Sequence, residues 1–141
     1  MRNGGACSAF ERFHHDPQRP RDGTLKSLFI LNDPPYGGER CYNALRLVHA
    51  LVKNDPQAEV TVYLMADAVT AAKASQKTPD GYYNIERMLK RVLTGKGQVL
   101  FCGTCMDARG LGDTEVVAGV QRSTMDELAS RTLEADKVLV F

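Results

Sequence analysis

A chain of 141 residues, 43% hydrophobic and 25% charged, is long enough for one domain with a buried core and is composed like a globular protein, which excludes wholesale disorder and fibrous architecture. Its formal net charge of +1 provides no basic field for a nucleic acid or an anionic membrane. No apolar run approaches the roughly 20 residues that a spanning helix needs.

Residues 1–24, MRNGGACSAFERFHHDPQRPRDGT, are rich in Gly, Pro, Arg and His, lack apolar periodicity and read as a disordered tail ahead of a single domain at 25–141. Charges between Glu11 and Asp22 interrupt any secretory core. The expected location is therefore the cytoplasm, where the four cysteines Cys7, Cys41, Cys102 and Cys105 stay mainly reduced.

The apolar run at 25–31 precedes the turn-rich NDPPYGG and predicts a first buried strand. Beyond Gly38, Cys41, Ala44, Leu45, Val48, Leu51 and Val52 recur every three or four residues and draw one stripe along a helix, ended by Asn54, Asp55 and Pro56. Residues 58–65 (AEVTVYLM) predict a second strand. The alanine-rich 66–75 has helical character, but the turn signal in QKTPDG makes 66–83 a mobile loop or lid by this reading. A second helical stripe, Ile85, Met88, Leu89, Val92 and Leu93, stops at Gly95 and Gly97.

The third strand, 98–101, runs directly into CGTCMDARG, a short helix ending near Gly110 or Gly112. Residues 116–120 predict a fourth strand, Thr124 with Glu127 a capping box before a third apolar stripe, and 137–141 a fifth strand. Strands alternating with helices imply an α/β fold, a three-layer α/β/α arrangement around a parallel five-stranded sheet. In such sheets chemistry collects beyond the carboxyl ends of the strands. NDPPYGG and CGTC both lie at that edge, so the reading directs them at one crevice.

A thiolate is the reactive form of cysteine, and an ordinary cysteine at pKa of about 8.5 is only slightly ionised at neutral pH. Cys102 stands immediately before the helix start, where unpaired amides and the dipole favour an anion, and Gly103 allows close approach. Arg109, four residues beyond Cys105 and seven beyond Cys102, shares their face if the helix runs that far and then adds positive charge; Asp107 opposes a nearby thiolate. A CxxC pair in a cytosolic chain points to redox chemistry, sulfur transfer or metal binding, against a packing role for the thiols. Zinc lacks ligands at knuckle spacing, since His14, His15 and His49 lie elsewhere. Cys41 falls on the inward helical stripe and is expected to pack. Asp33, Tyr36, Gly37 and Gly38 form a turn that either fixes the strand-to-helix connection or offers backbone amides to a substrate anion.

NDPPYGGERCYNALRLVHAL, TPDGYYNIERML, CGTCMDARG and the closing DKVLVF, in that order, resemble the DsrE-like family of sulfur-relay proteins, in its CxxC-bearing branch. The resemblance implies a DsrEFH-like parallel sheet, assembly into homo-oligomers such as trimers or hexamers, no cofactor, and a cysteine that carries persulfide sulfur between donor and acceptor proteins. Counting back eight positions from Gly110 places that carrier at Cys102. Cys105 departs from the single-cysteine relay subunits and is expected to act as a resolving thiol, because a neighbouring thiol can attack a persulfide, release sulfide and leave a disulfide. The alternatives are a thiol-disulfide oxidoreductase or redox sensor, and a non-enzymatic oligomeric module.

Overall fold

The computed structural model describes residues 23–141; the predicted tail, with Cys7, His14 and His15, lies outside the described residues except for Gly23 and Thr24. Five strands alternate with helices: β1 (Lys26–Leu31), α1 (Arg40–Asn54), β2 (Glu59–Leu64), α2 (Ile85–Thr94), β3 (Gln98–Cys102), α3 (Gly103–Ala108), β4 (Gln121–Ser123), α4 (Met125–Glu134) and β5 (Lys137–Val140). All pairings are parallel, in the order β4-β3-β2-β1-β5. The first three crossovers step the same way across the sheet, so right-handed connections put α1 and α2 on one face. The last crossover returns over the whole sheet to β5 and places α4 on the other face, which completes the three layers.

Register assigns the side chains to the two faces. Ile30 pairs with Tyr63, and Tyr63 with Leu100. This row faces α4, because the Tyr63 hydroxyl donates to the Thr124 carbonyl at 2.9 Å. The alternate row, Phe29, Val62 and Val99, is buried opposite, with Ala44, Leu45, Val48, Leu89 and Val92 from α1 and α2 in the same core. Those helical positions are the ones the apolar periodicity selects. α2 is capped by Asn84, whose side chain accepts from the Arg87 amide at 3.0 Å, and α4 by Thr124, which accepts from the Glu127 amide at 3.2 Å. Glu127 does not complete a reciprocal box; its carboxylate accepts from the Ser123 hydroxyl instead, at 2.8 Å.

Two sequence expectations are corrected. The fourth strand is the polar Gln121–Ser123, not 116–120. Val117 and Val120 are buried from a loop, Val116 makes only an isolated antiparallel bridge with Lys73, and the ladder to β3 forms through Gln121, Arg122 and Ser123. An edge strand needs backbone pairing more than apolar side chains, so the most apolar run is the wrong marker for it. The second correction concerns 66–83. Ala66–Ala72 is a 3-10 helix with Ala68, Val69, Ala71 and Ala72 buried, tied to β1 by the Ala68 amide on the Asn32 carbonyl at 3.2 Å. Beyond it, the Gln76 amide donates to Glu86 at 2.7 Å and the Asn84 side chain to the Gln76 carbonyl at 3.2 Å. The segment is a layer of the core pinned at both ends, where small alanines allow close packing, and not a lid.

Candidate thiol site

β3 delivers Cys102 to the carboxyl edge of the sheet as the residue preceding α3, and three positions on, near one helical turn, lies Cys105. Both are free thiols. They line an open cleft of about 390 Å³ with Met65, Gly103, Thr104, Arg122, Ser123, Thr124 and Met125. The walls therefore come from the ends of β2, β3 and β4. Ser123 stands directly beside Cys102 because these two residues are paired in the β3–β4 ladder.

The two thiols differ. Cys102 is 6% exposed, whereas Cys105 is only half-buried. Burial first, then the neighbouring Cys105 thiol, pushes the Cys102 thiol up from its ordinary value. The Cys105 and Thr104 amides pull the other way, without forming a capping bond, and burial prevails. The Cys105 sulfur accepts the Ala66 amide at 3.3 Å. Ala66 has φ +49°, an uncommon backbone for a residue with a Cβ that costs about 1 kcal/mol. This left-handed turn at the β2 exit aims the amide toward Cys105.

Beneath the thiols, Tyr63 is wholly buried. Its hydroxyl is pushed up from the ordinary tyrosine value mainly by burial, and also by the nearby Cys102 and Cys105, so it remains a neutral donor at neutral pH. Arg122 is the cation that lines the cleft. Its guanidinium donates to Asp107 at 2.5 Å and Asp113 at 2.9 Å and lies over Gly103, where a Cβ would come within 2.6 Å of its Nε. Gly103 is thus needed for the close approach of this guanidinium to the start of α3.

Arg109 sits differently from its sequence expectation. Its guanidinium donates to Asp67 at 2.6 and 3.1 Å and to the Cys105 carbonyl at 2.9 Å, and it does not line the cleft. It staples the end of α3 to the 3-10 segment that carries the Ala66 amide. The turn at 33–38 is also placed away from the cleft lining, with β2 between β1 and β3. Asp33 pairs with Arg40 at 3.5 Å and accepts the Cys41 thiol on its carbonyl at 3.0 Å. Tyr36 donates to Gln76 at 2.6 Å, accepts the Ile85 amide at 3.1 Å and stacks on Tyr83, while Gly37 takes φ +96°. The Gly38 carbonyl lies 3.5 Å from the Tyr83 hydroxyl. These contacts shape the turn and fasten 76–84 to α1. The structure therefore brings Cys102, Gly103 and Cys105 together, and keeps Asp33, Tyr36, Gly37 and Gly38 in a separate cluster.

Cys41 is buried and pushed up to about 12 by burial and by Asp33, which suits packing and not chemistry. The His49 ring donates to the Met88 carbonyl at 3.0 Å, and burial lowers its pKa, so it holds α1 to α2 as a neutral group. Among the described residues no cluster of three or more His, Cys, Asp or Glu could hold a metal, and no helix is long and apolar enough to cross a membrane. Sequence reasoning missed Tyr63, Ala66, Arg122 and Ser123. Placing the fourth strand at Gln121–Ser123 is the step that would have found Arg122 and Ser123, since its register sets Ser123 against Cys102.

The fold is a parallel α/β sheet with a CxxC pair at the exit of an inner strand, on its carboxyl edge. Comparison with known proteins makes the assignment specific: the DsrE/DsrF-like family matches residues 26–141, and the chain belongs to it. It is 41% identical over 116 residues to protein YchN of Escherichia coli, covering 82% of this chain and 98% of YchN. It is 34% identical over 117 residues to MJ0989 of Methanocaldococcus jannaschii, covering 83% of this chain and 100% of that protein. The crystal structure of the Escherichia coli YchN protein superposes with a TM-score of 0.80, covering 84% of this chain and 100% of that one. MTH1491 of Methanobacterium thermoautotrophicum, 12% identical, shares the fold at a TM-score of 0.69, covering 83% and 99%.

Proposed function

We propose that this protein is a cytosolic carrier of sulfane sulfur, a sulfurtransferase component that holds sulfur as a persulfide on Cys102 with Cys105 as the resolving thiol. The observation that carries the reading is the pair of free thiols, three residues apart at a helix start, in an open cleft at the carboxyl edge of a DsrE/DsrF-like sheet. The overall reaction needs no cofactor. A donor R–S–SH passes its outer sulfur to a thiolate and leaves as R–S⁻, and an acceptor thiolate later takes the same sulfur. Where acceptor is lacking, Cys105 attacks the Cys102 sulfur of the persulfide, hydrosulfide leaves with the electron pair, and a Cys102–Cys105 disulfide remains.

Donor and acceptor are expected to be proteins that dock over the cleft mouth. Assembly into a homo-oligomer, a trimer or hexamer, is supported by apolar side chains left uncovered on the α4 and β5 side: Met125 at 56%, Leu133 at 88% and Val140 at 65% exposure. The proximity of the thiols also favours a second reading, a thiol-disulfide oxidoreductase or redox sensor that never carries sulfur. Intact mass spectrometry after incubation with a sulfane-sulfur donor separates the two, with wild type compared against Cys102→Ser and Cys105→Ser. Sulfur adducts, or a donor-driven disulfide with sulfide release, support the carrier. Disulfide formation with ordinary oxidants alone, and no adduct in any variant, would leave only the redox reading.

A further inference from the structure

We infer that sulfur reaches Cys102 in two steps, with Cys105 as the outer thiol that meets the donor and hands the sulfur inward. The inference rests on the carrier reading and assigns its order of events. Three observations carry it. Cys102 is 6% exposed and walled by Ser123 through the β3–β4 pairing, so a donor large enough to be a protein persulfide meets little of its sulfur. Cys105 is half-buried on the same cleft and presents more surface. Its sulfur, moreover, already receives an amide donor from Ala66, whose left-handed backbone and the Arg109–Asp67 pair hold that amide in place. A preset donor at the outer sulfur is in place to bond the charge that gathers there as that sulfur attacks or departs.

The chemistry balances without an oxidant. In the first step the Cys105 thiolate attacks the outer sulfur of R–S–SH; the donor S–S bond breaks, R–S⁻ leaves with the electron pair, and Cys105–S–SH forms. In the second, Cys102 attacks that same outer sulfur, the Cys105–S bond breaks, and the proton of the Cys102 thiol passes to the departing Cys105 sulfur, both thiols lining the one cleft. The products are Cys102–S–SH and a free Cys105 thiol. The stored sulfur is then shielded by the burial that makes Cys102 a poor first acceptor, and the reverse sequence returns it to the surface for an acceptor.

The test uses glutathione persulfide as donor and the full chain. Rapid quenching followed by mass spectrometry reads the initial rate of uptake of one sulfur atom. Cys102→Ser is expected to load at the wild-type rate, with the sulfur on Cys105, and Cys105→Ser to load at least ~10-fold more slowly, as accessibility and thiolate character set the rate of attack. Loading of Cys105→Ser at the wild-type rate, with Cys102→Ser inert, would overturn the order while leaving the carrier reading intact. No loading of wild type or either variant would end both. Should a variant fold poorly, brief iodoacetamide labelling of the wild-type protein, read by fragmentation of the 97–109 peptide, gives the same answer. Label on Cys105 at least ~10-fold ahead of Cys102 supports the order, and equal or Cys102-first labelling overturns it.

Discussion

Replacing Arg109 by Ala separates two roles for the cation beside the CxxC. If its guanidinium acts through its field, as chain spacing suggests, the substitution slows thiol chemistry and leaves the fold alone. The contacts predict otherwise. Arg109 donates twice to one oxygen of Asp67, at 2.6 and 3.1 Å, and once to the Cys105 carbonyl at 2.9 Å. Its side chain is 30% exposed and that of Asp67 65%, so the ion pair contributes at most about 1 kcal/mol in water. The bond to the carbonyl adds about 1 kcal/mol, and the loss is therefore about 1 to 2 kcal/mol. With a urea dependence of about 1.5 kcal/mol per molar, the unfolding midpoint should fall by about 1 M. Circular dichroism in urea measures this, and added salt should shrink the difference between variant and wild type by screening the exposed pair. Iodoacetamide labelling of Cys105 should slow by no more than about tenfold, through loosening of the Ala66 amide. An unchanged midpoint accompanied by a much larger loss of thiol reactivity would refute the staple and restore the field.

Two glycines with the same apparent conflict should respond differently. An added Cβ comes within 2.6 Å of Val92 at Gly97 and within 2.6 Å of the Arg122 guanidinium at Gly103. At Gly97 the Val92 carbonyl is also 3.0 Å away and is fixed by its bond from the Gly97 amide, so Gly97→Ala should cost about 1 to 3 kcal/mol in urea unfolding. Gly103→Ala should leave the unfolding midpoint nearly unchanged, since a side-chain tip can swing away; a large loss there would show that Arg122 is rigidly seated. Tyr63→Phe removes one bond to the Thr124 carbonyl, which keeps a second partner in the Leu128 amide at 3.1 Å, so the cost should be about 1 kcal/mol in the same assay and not the larger penalty of an orphaned carbonyl. Finally, Cys41 should resist alkylation until the chain unfolds. Its folded pKa is raised from 9.0 to about 12, so the native state keeps a proton that the unfolded chain releases. The stabilisation is complete below pH of about 9 and is lost as pH rises toward 12, by up to about 1.4 kcal/mol per pH unit. Urea midpoints at pH 8 and 10 should accordingly fall further in wild type than in Cys41→Ala, and parallel losses would contradict the burial argument.

Much of this architecture was legible along the chain because it depends on local period. The stripes from Cys41 to Val52 and from Ile85 to Leu93 need only helical geometry to mark a buried face, and the apolar runs at β1, β2 and β3 need only length and turn residues at their ends. The CxxC was equally visible, since two thiols three residues apart stay close in any helix start. By themselves, then, these residues determined a parallel α/β domain with a thiol pair beyond its third strand, and their order marked the family.

Everything that depends on strand order was decided only in three dimensions. With β2 between β1 and β3, the turn at Asp33 to Gly38 packs on Tyr83 and Gln76 and leaves the surroundings of the thiols to residues just after β2 and to those in and after β4. Those residues carry no signature: Ala66 matters through its backbone amide, Ser123 through register, and Arg122 through the space left by Gly103. Arg109 stands just past the end of α3 and meets Asp67, a partner 42 residues away that no periodicity could supply. The inequality of the thiols has the same origin. Cys102 and Cys105 are equivalent as letters, and only the packing of β4 beside one and the turn of Ala66 toward the other make one an inner and the other an outer sulfur.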